Sequence, residues 1–247
     1  MDKVVIVTGA TSGIGQETAR YFAEKGATVV GVGRSKERGE QLEQSSEDLS
    51  GSIDFYQVDV GKEEEVEQFI KKIMTTYEKV KVLFNNAGVA DVALGPLSRV
   101  SDEEWDRLFH INLKSIYYMV NHSERLFGKN AAIVNNAAIV GTHKYPSALP
   151  AYSAAKAGVV ALSKSMASRY AKRKIRVNAI SPGPIDTPLA RKLYGSEEGF
   201  QKAFKQHPRG SFGTPLEVAK AVYFLSSEDA SYINGHNLVI DGGYTLS

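Results

Sequence analysis

In the stretch AYSAAKAG, Tyr152 and Lys156 stand four residues apart. A phenol has an ordinary pKa near ~10, too high to trade protons freely at neutral pH, and a nearby cation lowers it by favouring the phenolate. On a helix, positions i and i+4 share a face, which puts the ammonium beside the phenol. Such a pair suits reduction of a ketone by hydride, which needs a proton donor at the oxygen and a group that stabilises charge there. For an isolated pair the alternative is a packed tyrosine with a lysine stem lying along it.

A second chemical signal lies in VVIVTGATSGIGQETARYF, where Gly9, Gly13 and Gly15 interrupt the passage from an apolar run to an amphipathic one. A tight turn needs positive φ at some positions, and a diphosphate must approach the backbone closely; glycine allows both. Free N–H groups and the dipole of a helix starting near Gly13 can hold phosphates. A third signal is Asn112, on the otherwise apolar stripe of its helix. An unpartnered buried amide costs on the order of 1–3 kcal/mol, so this one should be fully engaged.

Elements must position these groups. Apolar, β-branched runs occur at 3–8, 28–32, 53–58, 80–85, 131–136, 175–180 and 236–240. They are continuous rather than alternating, as in strands buried on both faces. Helical patterns separate them. In SDEEWDRLFHINLKSIYYMV, residues Trp105, Leu108, Phe109, Ile116 and Met119 fall on one stripe behind an N-cap at Ser101. Strand and helix in alternation predict an α/β fold, a doubly wound parallel sheet of Rossmann type with seven strands, right-handed crossovers and helices on both faces. One domain accounts for residues 1–247, with a helical flap inserted at about 184–213.

Composition bounds the partners. Thirty basic against 28 acidic residues leave a net charge of +2, which gives no field for nucleic acid or a membrane surface. Lys172, Arg173 and Lys174 form the one basic run, expected to be a solvated helix end. The absence of cysteine excludes disulfides and thiolate metal sites and suits a reducing cytoplasm. No leader peptide is expected, and no apolar stretch reaches the ~18 residues of a membrane span. The expectation is a cytoplasmic protein with a small-molecule partner and no metal, nucleic acid or membrane.

The spacing Gly-x-x-x-Gly-x-Gly, the NNAG run at 85–88, Asn112 in HINL, Tyr152-x-x-x-Lys156, SPGPIDTP at 181–188 and INGHNLVIDGG at 233–243 together resemble the short-chain dehydrogenase/reductase family. The similarity extends over essentially the whole chain, in the family's order. It implies an NAD(P)(H)-dependent oxidoreductase that interconverts a carbonyl and a secondary alcohol, and a homotetramer whose interfaces use the last strand and the helices near 101–127 and 150–172. The catalytic positions would be Tyr152 as acid/base, Lys156 on the nicotinamide ribose, and Asn112 in a water-bridged proton relay. The cofactor positions would be Gly9, Thr11, Ser12, Gly13, Ile14, Gly15, Arg34, Asp59, Val60, Asn86, Ala87, Gly88, Tyr152, Lys156, Pro182, Gly183, Ile185 and Thr187. Asp59 would meet the adenine amino group, or simply form a turn at the strand end.

One position departs from the family. A serine whose hydroxyl binds the substrate oxygen is expected at Ala138, fourteen residues before Tyr152. Removing such a donor costs on the order of 10²–10³ in rate, by analogy with oxyanion-hole deletions. The chain is an engineered Ser→Ala variant, or Thr142 or Asn136 supplies a substitute donor, or turnover is lost and the fold persists as a cofactor-binding regulator. On the cofactor, Gly33 stands where NAD users carry an acid, and Arg34, Lys36 and Arg38 follow, which favours NADP(H) over NAD(H). Neutral Ser12 argues the other way. The substrate pocket is expected to be lined by Ala90, Val92, the 141–150 loop with His143 and Lys144, and Leu189, Leu193 and Tyr194, suiting a neutral ketone or alcohol of modest size.

Overall fold

The computed structural model describes residues 3–90 and 95–246. Val92, expected in the substrate pocket, lies outside them. Seven strands form one parallel sheet: β1 (Val4–Thr8), β2 (Thr28–Gly33), β3 (Ser52–Gln57), β4 (Val80–Asn85), β5 (Phe127–Asn136), β6 (Arg176–Pro182) and β7 (Asn237–Ile240), in the order β3-β2-β1-β4-β5-β6-β7. The order reverses between β1 and β4, so a crevice opens beyond their carboxyl ends.

Alternate strand residues feed two cores. Val5 and Val7 point to the layer that holds α1 (Gly13–Glu24), α2 (Lys36–Gln44) and α9 (Pro215–Ser226), where they meet Phe22, Leu42 and Val222. Val4 and Ile6 join the opposite core, with α3 (Glu63–Thr76), α5 (Ser115–Ser123) and α6 (Pro150–Tyr170). Burial on both faces is the physical reason for the continuous apolar runs.

The stripe from Trp105 to Met119 is not one straight helix. α4 (Asp102–Phe109) starts on a capping box, Ser101 Oγ accepting from Glu104 N–H while the Glu104 carboxylate accepts from Ser101 N–H. A π-helical turn, His110–Lys114, then separates α4 from α5. The wider turn splits the stripe: Leu108 packs with Trp105, Phe109 and Tyr152, whereas Ile116 and Met119 join the core of α3 and α6. Residues 184–213 carry two further helices, α7 (Pro188–Leu193) and α8 (Glu197–Gln206), an arm alongside the crevice. Among the described residues, no helix is long and apolar enough to cross a membrane.

Candidate active site

A cleft of about 390 Å³ occupies the crevice. Gly9, Thr11, Ser12, Gly13 and Ile14 line it from the first turn, Arg34 from the end of β2, and Asp59 and Val60 from beyond β3. Asn86, Ala87 and Gly88 follow β4; Asn112, Tyr152, Lys156 and Thr187 complete the set the sequence singles out. Residues up to 183 apart in the chain thus meet in one cavity.

The glycine turn has the predicted form, with a division of labour. Gly9 and Gly13 have φ of 65° and 54°. Gly15 is absent from the cleft wall; a Cβ there would come 2.2 Å from Gly9 O, so it serves the close approach of helix to turn. Ser12 caps α1 with no side-chain hydrogen bond, so the first-turn N–H groups are left to face the cleft. That cradle fits a diphosphate. Arg34 and Arg38 add two cations, and neither guanidinium makes an ion pair among the described residues. Gly33 lines the wall between them and Thr11; a Cβ on it would lie 2.8 Å from Thr11 Cγ2. The Asp59 carboxylate forms a turn, Oδ1 accepting from Gly61 N–H at 3.0 Å, and the residue also lines the cleft.

Tyr152 and Lys156 lie on α6 and both face the cleft. Their electrostatics correct the expectation of a lowered tyrosine. Burial pushes the Tyr152 phenol up to about 12 and the Lys156 amine down to about 8. Burial desolvates both groups, and Lys156 Nζ, 5.6 Å from the Tyr152 ring centroid, gives its hydrogen bond to Asn136 O at 2.6 Å. The protein alone holds the phenol protonated. Asn136 Nδ2 in turn donates to Asn86 Oδ1, and Asn86 Nδ2 donates to Thr8 O and Gly9 O. This relay of amides runs from the glycine turn to the lysine. Asn136 Oδ1 is buried with no partner among the described residues.

Asn112 is 1% exposed and fully engaged, as burial demands. Its Nδ2 donates to Val89 O (2.9 Å) and Leu108 O (3.1 Å), and its Oδ1 accepts from Val89 N–H (3.1 Å). The side chain moors the loop after β4 to the π-helical turn. Gly88 beside it has no room for a side chain: a Cβ would come 2.6 Å from Asn112 Oδ1.

Other expected residues stand back from the cleft. Pro182, Gly183 and Ile185 do not line it. Gly183 donates its N–H to Ile240 O, and Ile185 bridges to Gly213. These contacts set the path that brings Thr187 to the wall. Of the residues expected around the substrate, Leu189 lines the cleft, whereas Ala90, His143, Lys144, Leu193 and Tyr194 do not. Ala138 is 8% exposed and also off the wall. Its carbonyl accepts from Thr142 Oγ1 at 2.7 Å, so that hydroxyl is turned inward. Gly141 (φ 86°) keeps its register, since a Cβ would strike Ser153 O at 2.1 Å. Val89, Ile111, Asn136, Pro188 and Lys192 also line the cleft. Of these, Ile111 and Lys192 carried no sequence signal, because only the π-helical turn and the arm's fold bring them there.

A family profile described as Enoyl-(Acyl carrier protein) reductase matches residues 9–245. The 3-oxoacyl-acyl-carrier-protein reductase FabG of Thermotoga maritima is 38% identical, with 99% of this chain and 98% of that protein covered. The NAD-dependent glycerol dehydrogenase of Listeria innocua is 37% identical over 99% of this chain and 94% of that protein. Among solved structures, levodione reductase superposes with a TM-score of 0.93 at 28% identity, covering 100% of this chain and 99% of that one.

Proposed function

The chain belongs to the short-chain dehydrogenase/reductase family, and from that premise we propose that it is an NADP(H)-preferring oxidoreductase in which Tyr152 exchanges a proton with the oxygen of a ketone or secondary alcohol. The observation that carries this reading is the shared wall: phenol, ammonium and phosphate cradle face one cavity. A bound nicotinamide dinucleotide supplies or removes the hydride. The chain's residues do the rest. Gly9, Thr11, Ser12, Gly13 and Ile14 hold the diphosphate, and Arg34 with Arg38 meets the extra phosphate of NADP(H). Tyr152, kept protonated by burial, gives its proton to the carbonyl oxygen during reduction and takes one back during oxidation. Lys156 stabilises the phenolate formed in between, and Asn112 holds the loop that shapes this end of the cleft.

Ala138 offers no hydroxyl to the substrate oxygen. Of the two substitute donors, Asn136 is favoured: it lines the cleft beside Lys156, and its amide has a second N–H besides the one given to Asn86. The Thr142 hydroxyl is spent on Ala138 O. Val89, Leu189 and Tyr152 on the wall suit a neutral carbonyl compound of modest size. FabG, glycerol dehydrogenase and levodione reductase are named for different compounds, so the class alone is proposed. A cytoplasmic homotetramer is the proposed assembly, supported by exposed Tyr117, Phe224, Tyr232 and Leu246.

The test is a panel of ketones and alcohols with NADP(H) and NAD(H), on the parent chain and on Ala138→Ser. We expect turnover with NADP(H) in both and a rise of about tenfold or more in the variant. Ala138 also favours a second reading, a cofactor-binding regulator; tight NADP(H) binding with no turnover even in Ala138→Ser would establish that instead.

A further inference from the structure

Where α8 ends, His207 is 4% exposed and both of its ring nitrogens are used by backbone. Nδ1 accepts from Arg209 N–H at 3.2 Å, and Nε2 lies 3.0 Å from Asp241 O. A carbonyl can only accept and an N–H can only donate, so the network assigns the neutral ring with its proton on Nε2. The ring stacks on Tyr244, centroids 5.3 Å apart and planes at 13°. Phe212, edge-on to His207 at 6.1 Å, continues into Phe200, Phe204 and Tyr194, the aromatic packing inside the arm.

Tyr244 has a second neighbour: Lys144 Nζ sits 5.4 Å from its ring centroid. Lys144 belongs to the loop that precedes Tyr152. The turn carrying Tyr244 is itself rigid, because the Asp241 carboxylate accepts from Gly243 N–H (3.0 Å) and Thr245 N–H (2.8 Å). It is packed closely on both sides. A Cβ on Gly242 would come 3.0 Å from His207 Cε1, and one on Gly183 would come 2.6 Å from Asp241 Cβ. Arm, C-terminal turn and catalytic loop therefore meet at two rings.

We propose that His207 and Tyr244 form a latch that ties the α7–α8 arm to the C-terminal turn and to the loop before Tyr152, and that this latch sets affinity for the carbonyl substrate without entering the chemistry. His207 and Tyr244 are positioning residues; neither lines the cleft. The latch bears on the cleft because the arm lines it through Pro188, Leu189 and Lys192. The effect on substrate affinity rests on the oxidoreductase reading above, whereas the latch itself does not.

Three full-length variants test it: His207→Phe, Tyr244→Ala and Tyr244→Phe. Trypsin reads the arm at Arg191, Lys192, Lys202 and Lys205. His207→Phe and Tyr244→Ala should be nicked there about tenfold faster than the parent and raise KM for the ketone about tenfold, with kcat and the Kd for NADPH within about twofold. Tyr244→Phe, which keeps the stack, should be nicked more slowly and keep a lower KM than Tyr244→Ala. Parental nicking rates in the first two variants, or equal losses in kcat and thermal stability with KM unchanged, would overturn the latch. If those variants do not fold, hydrogen exchange in the parent decides: amides of α8 and of residues 241–246 should open together, and independent opening counts against it. A parent that binds no NADP(H) would sink the oxidoreductase reading but leave the nicking and exchange results to judge the latch.

Discussion

Lys156 illustrates how one buried atom at the proposed reaction site can oppose stability. Burial lowers its pKa from 10.5 to about 8, so at neutral pH the folded state carries a desolvated ammonium, a penalty of about 3 kcal/mol. The sign follows from proton binding. Between pH 8 and 10 the folded chain has released this proton and the unfolded chain still holds it, so stability should rise with pH across that window. Lys156→Met should abolish turnover yet keep or raise Tm at pH 7, and should flatten the alkaline rise. Thermal denaturation of both proteins at pH 7 and pH 10 checks this; a marked fall in Tm for the variant at pH 7 would mean that the bond to Asn136 O outweighs the desolvation. The Tyr–Lys pair was legible in the sequence because helical spacing puts positions four apart on one face. The direction of the tyrosine's shift was not, because burial depends on what covers the residue.

At the scale of elements, Asn112 and Ser101 separate mooring from capping. Asn112 closes three hydrogen bonds at a π-helical turn, and removing it takes a partner from each of Val89 N–H, Val89 O and Leu108 O in a buried place. Asn112→Ala should lower stability by about 3 kcal/mol and weaken NADPH binding, since the loop after β4 lines the cleft. Ser101→Ala removes only the exposed capping box, at about 1 kcal/mol, with cofactor affinity unchanged. Chemical denaturation beside NADPH titration distinguishes the two. Strands, the cap at Ser101 and the start of α1 near Gly13 were legible because they depend on neighbours within a few residues. The π-helical turn was not: HINLK carries no breaker, and the split of its stripe between two cores follows from packing.

For the molecule as a whole, ligand binding should be linked to stability. At a hundred times its Kd, NADP⁺ should stabilise the folded chain by about 2.7 kcal/mol, and at equal concentration NAD⁺ should stabilise it less. Arg34→Ala with Arg38→Ala should remove that difference, and added salt should shrink it in the parent, because both guanidinium groups are exposed. Thermal shifts with each dinucleotide at low and high salt measure this; equal shifts in the parent would overturn the preference for NADP(H).

Pattern along the chain determined the parallel α/β sheet, the glycine turn and the pairing of Tyr152 with Lys156, because β-strand and helix periods, positive φ and i,i+4 spacing are short-range constraints; the hydroxyl missing at Ala138 stood out only against the family resemblance. Tertiary structure decided that Gly15 packs rather than lines, that Pro182, Gly183 and Ile185 steer the chain behind the wall, and that Asn136 holds both Asn86 and Lys156. It also decided that His207 meets Asp241 across 34 residues. Those outcomes turn on which strand lies beside which and on how rotamers fill the space between them, a long-range matter that no local spacing encodes.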